Sequence, residues 1–295
     1  MAVCGCFISS IDLVLFCMVL DFLVSPTQAT KEPWSLILAT FVFVSFGVFV
    51  QLDLPFKEAL PISGSIIIFA MVPLIPMVWM VLMREEEAEE AELEAFKSGK
   101  GKLNLFSRHV ALWEVFAFFF IGATLAYAFW FALLPPEDTS KLFADQIREV
   151  NLIRGSAIQG QFFNSAVQEN QFWFLFNHNL KVLGLMLVFS LVYGIGSIYL
   201  LLWNASIIGV VIGSKVHELG IMGAVYGFFG LLPHGIFELS AYFLASIAGG
   251  LFSMEFMKRG FSKPDLFRHV FVEVLLLLLF SVVLLGVGAW VEASY

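Results

Sequence analysis

Charge is scarce in this chain: 14% of its 295 residues are Asp, Glu, Lys or Arg, while 60% are hydrophobic. So little polar surface excludes an ordinary water-soluble domain. Cysteine is scarce too. Cys4, Cys6 and Cys17 all fall in the first hydrophobic segment, where they neither pair with distant parts of the chain nor complete a thiolate metal site, and they read as small apolar fillers. There is no basic patch with interleaved aromatics, so nucleic acid is not an expected partner. A Walker loop and a Gly-x-Ser-x-Gly elbow are missing, and His217-Glu218 lacks the second histidine of a zinc-protease helix. The expectation is a protein with no catalytic residue, no cofactor and no metal, hence not an enzyme.

What the chain has in quantity is apolar length, including 34 phenylalanines. Runs approaching the ~20 residues that carry a helix across the hydrocarbon core predict an all-α, polytopic transmembrane bundle. The alternating pattern of a barrel strand is not seen. Eight spans are expected: Phe7 to Val24, Trp34 to Val50, Ser65 to Met83, Ala111 to Leu134, Phe172 to Ile195, Ser197 to Gly213, Pro233 to Phe252 and Val270 to Val291. The first reads as a retained span rather than a secretory signal, because no Lys or Arg precedes it and Asp12 and Asp21 interrupt it. At YGIGS, around Gly194 to Ser197, the apolar stretch from 172 to 213 either turns or continues as one kinked helix. The glycine-rich stretch from Gly220 to Leu232 reads as a re-entrant half-helix or a packed loop, giving a broken helix near 220–235.

Composition divides the chain into a three-span module at 1–83, an acidic-to-basic linker helix at 84–104, and a five-span core at 105–295. Six glutamates lie between Arg84 and Glu94, which localises much of the formal charge of -8. The linker is acidic at its front and basic at its back, as a helix macrodipole favours. Lys97, Lys100, Lys102 and Arg108, then Lys258, Arg259, Lys263 and Arg268, mark two cytoplasmic loops, which place both termini outside the cell membrane. The outer segment 135–171 carries Leu142, Phe143, Ile147, Val150 and Ile153 at near-helical spacing among charges. Such a pattern suits either an amphipathic helix lying on lipid or a docking surface for a partner.

Several polar residues sit where lipid should be. LFSRHVALWEV (105–115) and LFRHVFVEV (266–274) each set Arg-His-Val at a cytoplasmic helix mouth and a glutamate deeper in, so Arg108, His109, Glu114, Arg268, His269 and Glu273 are candidates for a buried polar belt. In PHGIFE, Pro233 suits the first turn of a helix, which would place His234 and Glu238 on one face near its positive end. The pair reads as a structural lock, with each other or with Asn177, His178, Asn179 or Asn204. It reads equally as a proton or ion site, or as a contact for a lipid headgroup or protein partner. Small residues follow, from Ser240 through Gly250, and let neighbouring helices approach closely.

PHGIFELSAYFLASIAGG, preceded by FNHNLKVLGLMLVFSLVYGIGSIYLLLWNASIIGVVIG, resembles the stage II sporulation protein M family of integral membrane proteins, over roughly residues 106–295. The likeness marks Pro233, His234, Gly235 and Glu238, with Asn177, Asn179, Gly194, Gly196, Asn204, Gly209 and Gly213, and Glu292 closing the last span. Ser240, His178 and Ala205 depart from the family's usual residues. The resemblance implies a membrane anchor that holds envelope proteins in place without catalysis of its own. A scaffold that recruits or positions an envelope or membrane-remodelling partner is therefore expected, in contact with membrane lipid and other membrane proteins, and able to form homo-oligomers. The alternative is a transporter or channel using the buried His/Glu polar site.

Overall fold

The structure is a computed structural model and describes residues 32–53, 62–98, 105–159, 165–190, 196–259 and 264–294. The expected span Phe7 to Val24 lies outside the described residues. Within them the architecture is all-helical: α1 (Ser35–Asp53), α2 (Ile62–Lys97), α3 (Leu105–Leu133), α4 (Pro136–Leu142), α5 (Ala144–Gln159), α6 (Ser165–Ser190), α7 (Ser197–Leu219), α8 (Ile221–Arg259) and α9 (Pro264–Ala293). Six of these, α1, α3, α6, α7, α8 and α9, are long and apolar enough to cross a membrane. The expected span Ser65 to Met83 falls inside α2, which is not among the six but buries Ile66, Ile67, Ala70, Leu74, Val78 and Leu82 in the bundle. α2 continues without a break into the acidic stretch as far as Lys97.

Lipid offers helices no hydrophobic drive to associate, so close packing and buried hydrogen bonds hold such a bundle together. α8 and α9 share the most extensive contact, followed by α3 with α7 and α1 with α3. Gly209 of α7 shows what the α3 contact requires: a Cβ there would lie 2.5 Å from Tyr127 Cβ, so only glycine lets the two backbones meet. Trp130 Nε1 donates to Ser45 Oγ at 2.9 Å, and His217 Nε2 donates to the Phe131 carbonyl at 3.0 Å, tying α1 and the end of α7 to α3. Ala241 to Leu251 of α8 are all buried, the small residues doing what their size predicts.

Register fixes the directions of the helices. Gly209 and then Gly213 of α7 meet Tyr127 and then Phe131 of α3, so α7 runs parallel to α3. Gly223 and Gly227 of α8 face Lys215 and Ile212, so α8 returns antiparallel to α7 from the positive-φ turn at Gly220. Phe252 packs on Phe267 and Phe271, whereas Gly288 lies beside His234 and Glu238, so α9 is antiparallel to α8 and parallel to α3. The two Arg-His-Val motifs therefore stand at one end of the bundle. α6 pairs Asn179 with Glu238 and Ser190 with Gly249, so it runs with α8 and opposite to α7. The stretch 172–213 is accordingly two crossing helices, not one kinked helix.

Two expectations give way here. α8 passes straight through Pro233 from Ile221 to Arg259, so no helix begins at the proline, and after the turn at Gly220 the stretch 221–232 is continuous helix. The missing amide frees only the carbonyl of Phe229, and both Pro233 and Phe229 sit on an open face where the ring meets no packed neighbour. The outer segment, in turn, does not spend its apolar face on lipid. Leu142, Phe143 and Val150 are buried in the bundle core, Phe143 edge-on to Tyr127 and Phe131, and Gln146 Nε2 donates to Ser206 Oγ of α7 at 3.2 Å.

Candidate functional site: a polar cluster between three helices

The site is built from α6, α8 and α9. Asn179 of α6 is buried, and its Nδ2 donates to Glu238 Oε1 at 2.5 Å while its Oδ1 accepts from the Tyr242 hydroxyl at 3.0 Å. Glu238 and Tyr242 lie one turn apart on α8, so a single asparagine on the facing helix bridges both. Gly288 of α9 is the third wall: a Cβ there would lie 3.0 Å from Glu238 Cγ and 3.4 Å from the His234 carbonyl oxygen. One turn beyond Gly288, on the same face, Glu292 reaches the cluster and lies within electrostatic range of Glu238, His234 and His178. Asn179 stands near the middle of the apolar stretch Gln171–Ser190, so the cluster lies deep in the bundle.

Each candidate residue has a definite place. Glu238 is held by Asn179 across helices, and His234 lies within electrostatic range of Glu292, so the hydrogen-bond partner of Glu238 is not His234 despite their spacing. Asn177 is exposed and turns its amide back to the Trp173 carbonyl of its own helix at 2.7 Å. Asn204 does the same toward Leu200 at 2.8 Å, on α7. Neither joins the cluster. Pro233 is exposed, and a Cβ at Gly235 would meet nothing within 4 Å, so the rest of the signature faces outward. Tyr242 and Gly288 belong to the site although the sequence did not single them out.

Within the expected polar belt the closest described contact joins two residues. His109 Nε2 donates to Glu273 Oε1 at 2.8 Å, with side chains only 5% and 4% exposed, joining the first turns of α3 to α9. Glu114 and His269 are half-buried and Arg268 is exposed; none of them enters this contact, and the side chain of Arg108 lies outside the described residues. A further carboxylate, Glu255 near the end of α8, is 1% exposed and was not foreseen. Among the described residues no group of three or more His, Cys, Asp or Glu side chains is arranged to hold a metal ion.

The chain matches the Stage II sporulation protein M family over residues 115–295. It is also 29% identical over 149 residues to an uncharacterised protein of Methanocaldococcus jannaschii, covering 46% of this chain and 78% of that protein. No solved structure matches. The matched region contains α6, α8 and α9 and thus the whole Asn179–Glu238–Tyr242–Glu292 cluster, and with more than half its length matched the chain belongs to the Stage II sporulation protein M family, a multi-pass membrane protein of apolar helices.

Proposed function

We propose that this protein is a non-enzymatic membrane scaffold whose helical bundle mounts the α4–α5 segment as a polar platform that recruits or positions an envelope or membrane-remodelling partner. The observation that carries this reading is the two-sidedness of the segment. Leu142, Phe143, Gln146 and Val150 anchor it to the bundle, while Glu137, Lys141, Asp145 and Arg148 remain exposed. A platform held on one side and charged on the other loses little entropy when a partner docks. Lys141 and Glu137 pair at 2.9 Å on the exposed side of the segment, a face that stays water-accessible.

In this reading the buried clusters are locks. Asn179, Glu238 and Tyr242 fix α6 against α8, Gly288 seats α9, and His109–Glu273 closes the opposite end. Family membership supports a holding role, and the basic residues flanking α3 and α9 favour an orientation with the platform on the outer side of the membrane. Replacing residues 135–159 by a neutral linker and comparing the proteins recovered with the tagged chain from native membranes tests it. Recruitment predicts loss of specific proteins from the recovered set; recovery of the same set would defeat the reading.

A further inference from the structure

α6 carries a second surface that the platform does not use. It is the least buried of the six candidate spans. Its inner face, Asn179, Leu183, Met186 and Ser190, packs on the bundle, while Trp173, Asn177, Lys181, Leu185 and Val188 form an exposed stripe. At 3.6 residues per turn, Lys181 falls at the centre of that stripe, with Asn177 one turn before it. It also falls at the centre of the span, ten residues from Gln171 and nine from Ser190. That is roughly 14 Å from either end, farther than a four-carbon stem carries an ammonium to the lipid headgroups.

An ionisable side chain at this depth is expected to face a bundle interior, a watery cavity or an opposite charge. Lys181 faces outward. The other described lysines with ion pairs, Lys141 and Lys215, find Glu137 and Glu218 on their own helices, whereas among the described residues no carboxylate lies within ion-pair distance of Lys181. A second copy related by a two-fold axis through this stripe would set Lys181 against Lys181, like against like. Gly184 adjoins the stripe, and a Cβ there would meet nothing within 4 Å, leaving room for close approach by another helix.

We infer that the outer face of α6 is an intramembrane docking surface for a transmembrane helix of a different protein that brings an Asp or Glu to mid-membrane opposite Lys181. This contact goes beyond the platform and does not depend on it. Its components are a charge pair at Lys181, a side-chain hydrogen bond at Asn177 and close packing at Gly184.

The test uses the full chain in phosphatidylcholine vesicles, labelled for energy transfer, with synthetic Leu/Ala transmembrane peptides as probes. A peptide with a central Asp is expected to bind about tenfold more tightly than one with central Leu or one whose Asp lies near its end. The preference should vanish in Lys181→Leu and Lys181→Gln, and Lys181→Glu should instead prefer a central-Lys peptide. Equal binding of all peptides overturns the proposal. So does energy transfer between two labelled copies that depends on Lys181, which would make the occupant a second copy. Binding that emerges only after residues 1–31 are removed would assign the face to the chain's own first segment, with its Asp12 and Asp21. Both neutral variants should keep the wild-type unfolding midpoint, and failure of either to fold would show Lys181 held inside the protein and sink the idea.

Discussion

Two carboxylates that α9 turns into the bundle, Glu273 and Glu292, lie roughly 28 Å apart along the helix and keep different company. Glu273 meets one histidine at 2.8 Å in a sealed contact between two helices. Glu292 enters a looser group, within electrostatic range of Glu238, His234 and His178, and the carboxylate that is hydrogen-bonded there, Glu238, is held by a neutral amide. The first arrangement is a complementary pair, in which loss of the carboxylate strands the histidine in low dielectric. The second puts two acids near each other, and its strength comes from hydrogen bonding and from the close seat at Gly288. Polar groups in a bundle thus hold it in two ways, by charge matching at one end and by amide bridging in the middle.

The largest effect should fall on the sealed pair. Glu273→Ala is expected to cost about 3 kcal/mol of stability in detergent or bicelles, followed by denaturant titration, because His109 is left buried without its partner. The His109→Ala/Glu273→Ala double variant should cost much less than the two singles added together, and additivity would mean that the pair is not coupled.

Next comes the seat of the open cluster. Gly288→Ala should cost about 2 kcal/mol, since the new methyl must displace Glu238 Cγ at 3.0 Å. Gly286→Ala is the control one half-turn away: its methyl meets only Phe176 Cε2 at 3.9 Å, so the thermal midpoint should hold or rise. Equal losses at both positions would deny that the cluster sets the α8–α9 spacing.

Within the cluster, Tyr242→Phe removes one hydrogen bond and should cost about 1 kcal/mol. Glu238→Gln should cost less, for it keeps an acceptor toward Asn179 and fills nearly the same volume beside Glu292. If the glutamine variant is the more damaged of the two in the same unfolding assay, the carboxylate charge itself holds the helices, and the contrast with Glu273 collapses.

The smallest effect lies outside the membrane. The Lys141 ammonium hydrogen-bonded to Glu137 holds that carboxyl below the usual carboxylate range and raises Lys141 in return. A depressed folded-state value means that any stabilisation from the pair is present above the ordinary carboxylate range and fades as pH falls through it. Both groups are fully exposed, so Lys141→Ala should return the Glu137 titration, followed by NMR, to the ordinary range while leaving the unfolding midpoint at neutral pH unchanged.

Much of this was legible in the chain. Apolar length announced the helices, the repeated Arg-His-Val indicated that α3 and α9 run in one direction, and the run of small residues after Glu238 marked the most buried stretch of α8. Asn179 was among the residues flagged, yet it came as one of a set. Asn177 and Asn179 are about 200° apart around a helix, so only one can face α8, and choosing between them needs the phase of α6 against its neighbour. Pro233 misled because proline at a helix start is common, whereas its tolerance within α8 depends on an open face that sequence does not show. Gly288 sits in LLGVGAW like any filler, and its meaning arises only when α9 lies antiparallel to α8. Lys181 carried a signal, a lysine deep in an apolar run, but whether it looked inward or outward required the bundle.

If the bundle works by holding a platform, changing only the exposed charges of that platform should abolish recruitment without touching the fold. Glu137, Lys141, Asp145 and Arg148 would be replaced together by Ala, and proteins recovered with the tagged chain from native membranes quantified beside its thermal midpoint. An unchanged midpoint is expected, because Leu142, Phe143, Gln146 and Val150 still anchor the segment, with loss of the same specific proteins that the linker replacement loses. An unchanged midpoint with undiminished recovery of those proteins would contradict it.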